Sequence, residues 1–401
     1  CEWGSVRVLL NEQGRLVDAT KRFGLDRITG WWTSVVGVDL DEDGRLDLVA
    51  GNWGLNSKYR ASPEHPRRLY YGDFDNNGTS ETINRCHRST AAEAFIGVAT
   101  AKNLACSGAQ TSTFTDSNGY FKPGLAFYNG TDGQGQALML KNFAATKNVK
   151  AVTVSIGGNN FGFGGIVQQC VSDFLGSPTW AKDYCQDDSS VTANFTSANI
   201  SAQTANIKNG LLNIRTAMRN AGYADGSWSL VVQTYQSPLS SAAAYRYSES
   251  GFTRQDTGGC GFWNSDADWA NGYALSTINS AVKDAATQAG IAGTKILDIA
   301  SAFNGRRLCE NTVGLLEEAN LASWQSKGAS DKTEWINQIR TVSTLSGNYY
   351  VQESLHPNYW GQLALRNCLR QAWNAGAVKG GTCSRGANGK NSYGEPNMSL
   401  A

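Results

Sequence analysis

A histidine follows a glutamate by three residues in Glu353-Ser354-Leu355-His356-Pro357-Asn358, a stretch able to move protons. Imidazole titrates near neutrality, so His356 is suited to general base work, and the Glu353 carboxylate could orient it. The stretch also reads as a polar helix cap, with Pro357 placed to open a helix beside Asn358. The other two histidines are poorer candidates. His65 lies in a Pro-flanked turn and His87 between Cys86 and Arg88, and both read as structural. A second stretch, Ser155-Ile156-Gly157-Gly158-Asn159-Asn160, has two glycines that let backbone approach a ligand, and an Asn159 amide able to donate to an oxyanion. Gly108, in Cys106-Ser107-Gly108-Ala109, offers a backbone N–H to the same charge. Ordinary loop chemistry also explains each glycine stretch taken alone.

A third chemistry is metal binding. Asp39, Asp41, Asp43 and Asp47 form D-x-D-x-D-G-x-x-D around Gly44, and Asp73, Asp75, Asn77 and Glu81 repeat the pattern around Gly78. Alternate side-chain oxygens in a tight turn converge on one hard cation, so Ca2+ is the expected structural cofactor. The plainer alternative is a pair of Asp-rich hairpin turns without metal.

The totals narrow the classes. The chain has 401 residues, 35 Lys+Arg and 34 Asp+Glu for a formal net charge of +1, and 17% charged residues. That balance argues against nucleic acid or an acidic membrane surface as a partner. No apolar run reaches the roughly 20 residues of a membrane span. Nine cysteines without a C-x-x-C disfavour a zinc knuckle and favour an oxidising, extracellular setting. The eight beyond residue 85 fall into four sequence-adjacent pairs: 86–106, 170–185, 260–309 and 368–383. Sequence alone leaves other pairings open. Cys1 is left over. The expectation is a secreted, monomeric chain in mature or trimmed form.

The elements that must hold these residues differ between two regions. Residues 1–84 read as short strands and turns, with apolar stretches Val6–Leu10, Trp31–Val38 and Leu46–Ala50 between Gly/Asp/Asn clusters. From residue 85 onward, helical periodicity is expected at Ala91–Lys102, Ser201–Ala221, Thr277–Gly290, Thr333–Leu345 and Tyr359–Trp373. Strands are expected at Ala151–Ile156, Ser227–Thr234 and Lys295–Ile299. Strands alternating with helices imply a parallel sheet covered on both faces, with sites at the C-terminal strand ends. Trp263, Trp269 and Trp360 lie near the chemical stretches and could line a cleft, although core packing explains them as well.

Two family resemblances overlay this reading. Gly30–Thr33, Val38–Asp41, Leu48–Tyr59 and Leu69–Asp75 resemble FG-GAP/VCBS repeats of β-propellers. Only two repeats at most are present, so residues 1–84 look like a repeat fragment. Residues 85–401 resemble SGNH/GDSL hydrolases, most closely the disulfide-rich secreted esterases and lipases of actinobacteria. The resemblance is carried by Asn84–Ser89, Ala105–Ala109, Ser155–Phe163, Gly259–Trp263 and Glu353–Gly361. It implies an α/β fold, a flavodoxin-like three-layer α/β/α sandwich, with the propeller-repeat-like segment as a small all-β N-terminal addition. It implies cofactor-free hydrolysis of lipid, aryl or acylated-carbohydrate esters through an acyl-enzyme. Gly108 and Asn159 would be oxyanion donors and His356 the base. Glu353 stands where the family often has Asp, and a backbone carbonyl could orient the ring instead. Asn160 departs from the family's GGND.

The expected Gly-Asp-Ser nucleophile block is missing. The upstream Gly72-Asp73 is followed by Phe74, which has neither a proton to give nor a lone pair for attack. Residues 67–71 are the expected filler of the first strand, and Ser80 and Ser89 are nearby hydroxyls. The two resemblances abut where the block should lie, as in a fused or mis-assembled chain. A calcium-dependent binding or adhesion module on a degenerate hydrolase scaffold is the competing expectation.

Overall fold

The structure is a computed structural model. It describes residues 7–25, 32–38, 47–52, 71–72, 81–82, 102–117, 119–344, 347–350 and 354–401. In 32–38, 47–52, 71–72, 81–82, 341–344 and 347–350 it describes backbone pairing only. The chain divides into two compact units, Cys1–Arg85 and Cys86–Ala401.

The first unit shows three antiparallel pairs among its described residues. Leu9–Glu12 pairs with Arg15–Asp18 through a two-residue turn at Gln13 and Gly14, both with positive φ, as the twist of a tight hairpin requires. Trp32–Val38 pairs with Asp47–Asn52, and Tyr71–Gly72 with Glu81–Thr82. Pairing of Val38 with Asp47 and of Gly72 with Glu81 leaves connections 39–46 and 73–80 of equal length. The expected calcium ligands Asp39, Asp41, Asp43, Asp73, Asp75 and Asn77 lie within those connections, outside the described residues. Only the backbones of Asp47 and Glu81 are described. Tyr71, the last residue expected to fill the hydrolase sheet's first strand, pairs with Thr82; residues 67–70 lie outside the described set.

The second unit is α/β. Its sheet has five strands in the order β1 (Ala151–Val154), β2 (Ser229–Gln233), β3 (Thr294–Asp298), β4 (Gly381–Lys390) and β5 (Pro396–Leu400). The first four run parallel, and β5 returns antiparallel to β4. Leu230, Val232 and Leu297 are fully buried, which is why β2 and β3 read as apolar runs in sequence. Helices α1 (Phe163–Gly176) and α2 (Ser197–Asn220) connect β1 to β2. Helix α3 (Leu275–Ala289) connects β2 to β3, and α4 (Tyr359–Trp373) precedes β4. Helix α1 buries Ile166, Val167, Cys170, Val171 and Phe174, a one-faced stripe at helical spacing. Thr196 caps α2 by accepting the Asn199 N–H at 3.2 Å.

Each successive strand joins the same side of the sheet, and among the described residues no strand pairs with the outer edge of β1. In an open α/β sheet ligands collect at the carboxyl ends of the strands.

Three expected disulfides are present: Cys170–Cys185, Cys260–Cys309 and Cys368–Cys383. Cys106 is also disulfide-bonded, and its expected partner Cys86 lies outside the described residues. Among the described residues no helix is long and apolar enough to cross a membrane. The expected helix at 91–102 falls almost wholly outside the described residues.

The expected helix at Thr333–Leu345 is not formed. Only Ala329–Lys332 is helical, and Thr341–Thr344 is a strand. Trp335, Ile336 and Ile339 are spaced as on a helix face, but tertiary partners take the backbone. The Trp335 N–H donates to Arg306 O at 2.8 Å, that of Asn337 to His356 O at 2.9 Å, and that of Ile339 to Gly259 O at 2.7 Å. The side chains of Trp335, Ile336 and Ile339 are all buried. An extended segment can bind several loops at once, whereas a helix spends its backbone on itself.

Candidate active site

The loop after β1 makes one wall of the site. Gly157 has φ +123°, and a Cβ there would stand 2.8 Å from the Ile207 methyl, so glycine is required on both counts. The Gly158 N–H donates to the Tyr235 hydroxyl at 3.0 Å, and Ser155 bonds the same hydroxyl. Burial pushes that hydroxyl's pKa up. Tyr235 is itself fixed by Asn279, whose side chain accepts its N–H and donates to its carbonyl, each at 2.8 Å.

Asn159 and Asn160 then tie this turn to the segment carrying Gly108. Asn159 Nδ2 donates to Ala109 O at 3.0 Å, and Gln110 Nε2 donates back to Asn159 O at 3.2 Å. Asn160 accepts the Thr111 N–H at 3.2 Å and donates to Thr111 Oγ1 at 2.8 Å and Gln203 Oε1 at 3.2 Å. The departure from GGND therefore has a structural use, since an aspartate could accept but not donate. Gly108, at φ +76°, sits one residue from the Ala109 carbonyl that Asn159 holds.

His356 enters from the far end of the chain. Its Nδ1 lies 3.0 Å from Ser354 O. A carbonyl can only accept, so Nδ1 carries the proton and Nε2 keeps the lone pair a general base needs. Leu355 adopts φ +59°, an uncommon conformation for a branched residue, and main-chain bonds hold it there: its N–H donates to Asn337 O at 3.1 Å, and Asn337 donates to His356 O. Asn358, rather than Pro357, caps α4. Its Oδ1 accepts from Trp360 and Gly361 at 3.0 and 3.3 Å, while its Nδ2 donates to Glu334 O at 2.7 Å. Glu353 lies outside the described residues, and the ring nitrogen it was expected to orient already has the Ser354 carbonyl.

Asn159 and His356 line one cavity of about 280 Å³. Its walls are largely apolar, with Phe163, Ile166, Val167, Leu239, Phe262, Trp269, Leu275 and Ile278, and its polar lining includes Ser155, Tyr235, Ser237 and Asn271. Ser237 is buried, donates to Leu239 O at 2.6 Å and bonds Asn271. Of the three singled-out tryptophans, Trp269 reaches the cavity, while Trp263 and Trp360 are buried in the core. Tyr235, Asn279 and Asn337 carried no motif, because their roles arise from where a neighbouring loop passes. Among the described residues no three His, Cys, Asp or Glu side chains gather to hold a metal. Phe74, Ser80 and Ser89 lie outside the described residues.

No family model and no curated protein sequence matches the chain. Among solved structures, an extracellular lipase from Streptomyces rimosus is similar at 18% identity, over 56% of this chain and 69% of that one, with a TM-score of 0.30. A likeness of that size carries no argument about this chain.

Proposed function

We propose that residues 86–401 are a secreted carboxylic ester hydrolase domain of the SGNH type, built on a three-layer α/β/α sandwich. Gly108 and Asn159 receive the oxyanion, and His356 is the base. The supporting observation is that Asn159 and His356, from opposite parts of the sequence, line one apolar cavity, with the His356 tautomer set by a carbonyl. An apolar cavity suits the acyl part of an ester, and an amide donor beside it suits the charge that develops on the carbonyl oxygen. His356 Nε2 would accept the proton of an attacking hydroxyl and return it to the leaving alkoxide, the ring being held throughout by Ser354 O. In the sequence, Phe74 follows Gly72-Asp73 where the resemblance calls for Gly-Asp-Ser, so the unaltered chain is proposed to form no acyl-enzyme.

The test is Phe74→Ser. The unaltered chain should show neither p-nitrophenyl acetate hydrolysis nor labelling by a fluorophosphonate. Phe74→Ser should gain both, and His356→Ala in that background should remove them. A fluorophosphonate adduct on another serine of the unaltered chain keeps the hydrolase and discards the register. No adduct and no gain discards the hydrolase reading.

We also propose that connections 39–46 and 73–80 bind calcium. Their acid spacing and equal hairpin lengths support this. A calcium-dependent rise in melting temperature that Asp43→Asn reduces is the expected result.

A further inference from the structure

We propose that Lys122 is a positioning residue for the oxyanion side of the site, polarising the peptide unit that carries the Gly108 N–H. The inference rests on the role assigned above to Gly108 and Asn159.

Lys122 lies in the short strand Phe121–Lys122, paired with Phe114–Thr115. It is only 8% exposed, unusual for a lysine, whose charge is rarely taken out of water without a use. Its Nζ donates to Ser107 O at 3.1 Å and lies 3.6 Å from Asp116 Oδ2. A methyl built on Gly108 would stand 3.5 Å from the same nitrogen. A full positive charge is thus pressed against one peptide group.

That group is the relevant one. The Ser107 carbonyl and the Gly108 N–H belong to a single planar amide, coupled by resonance. A cation at the oxygen favours the form with C=N character. Electron density leaves the nitrogen, and the N–H becomes a stronger donor at the other end. The bond to Lys122 also fixes the plane of the amide, and so the direction of the N–H. Hydrogen bonds to an ionised donor are roughly twice as strong as neutral ones, so the effect exceeds what an ordinary amide neighbour would give.

The test reads both ends of that amide. The chain contains three Ser–Gly peptides, 107–108, 250–251 and 346–347. Labelling serine with carbonyl 13C and glycine with 15N therefore reduces the spectrum to three signals. In Lys122→Met, the Ser107 carbon and the Gly108 amide proton should both move upfield while the other two peptides stay put, and Lys122→Arg should restore them. In parallel, calorimetry with octanoate and octanol compares a carboxylate with a neutral head on the same chain. Lys122→Met should weaken octanoate on the order of tenfold, leave octanol unchanged and be rescued by Lys122→Arg. An unmoved Gly108 signal, or equal weakening of octanol, overturns the role of Lys122. Octanoate weakened by Asn159→Ala but not by Lys122→Met discards Lys122 alone. Octanoate that fails to bind, or is indifferent to both, discards the oxyanion reading with it.

Discussion

The two sides of the cavity are held by different means. On the oxyanion side, side chains do the holding: Asn159 and Asn160 reach across to Ala109, Thr111 and Gln203, and Tyr235 takes the Gly158 N–H. On the base side, backbone does it: Ser354 O fixes the imidazole, and Asn337 pairs with Leu355 and His356 through main-chain atoms alone. The first kind of support is chemically specific, and a single substitution can break it. The second depends on where the chain runs and tolerates many side chains, provided the path is kept. Strain at Leu355 is sustained because that path is over-determined.

Four substitutions probe this contrast. The largest effect is expected for Asn159→Ala in the Phe74→Ser background. Loss of one oxyanion donor should lower kcat about 10²–10³-fold, read by steady-state ester hydrolysis. A loss under threefold would place the oxyanion elsewhere.

Next comes pH, through Asp173 in the last turn of α1, the helix that lends Phe163, Ile166 and Val167 to the cavity. Burial, then the nearby Asp188 and Asp183, pushes its carboxyl up to about 6. The fold therefore favours the protonated acid. Its contribution is complete below about pH 4 and is lost as pH rises through about 6. Asp173→Asn should stabilise the protein at pH 7.5 by on the order of 1–2 kcal/mol and flatten that part of the pH profile, measured by denaturant unfolding. An unchanged profile would assign the titration to other groups. Hydrogen exchange should show α1 slackening with pH while the His356 loop does not.

Asn358→Ala removes the α4 cap and leaves Glu334 O without its donor, for an expected loss of about 1–2 kcal/mol. Here the base side leans on a buried side chain. The smallest effect belongs to Ser354→Ala. The imidazole uses the Ser354 carbonyl, and only the exposed contact from the Arg340 N–H to the hydroxyl is lost. Stability should stay within about 0.5 kcal/mol and the esterase rate of the Phe74→Ser background unchanged. A large rate loss would show that the serine side chain, not the main chain, orients His356.

Legibility in sequence followed the same divide. Helix α4 was readable to its ends because its apolar face and its Asn cap are local. Strand β2 was readable because Leu230, Val231 and Val232 are a buried apolar run, and β1 and β3 because their short β-branched and apolar stretches are bounded by polar ones. Strands β4 and β5 were missed: their polar, glycine-containing sequence is held by a hairpin and by Glu395, buried against Arg366 and Arg370. The stretch at 333–345 misled, since helical spacing of Trp335, Ile336 and Ile339 says nothing about loops from elsewhere competing for the backbone.

By itself, the sequence determined the α/β alternation, the number of thiols and the residue types proposed here as a base and an oxyanion donor. Periodicity, thiol count and functional groups are properties of the chain. Only the tertiary structure decided that Asn159 and His356 line one cavity, that the Ser354 carbonyl holds the imidazole, and that a buried lysine presses on the Gly108 peptide. Those are distances between segments far apart in sequence, and packing alone sets them.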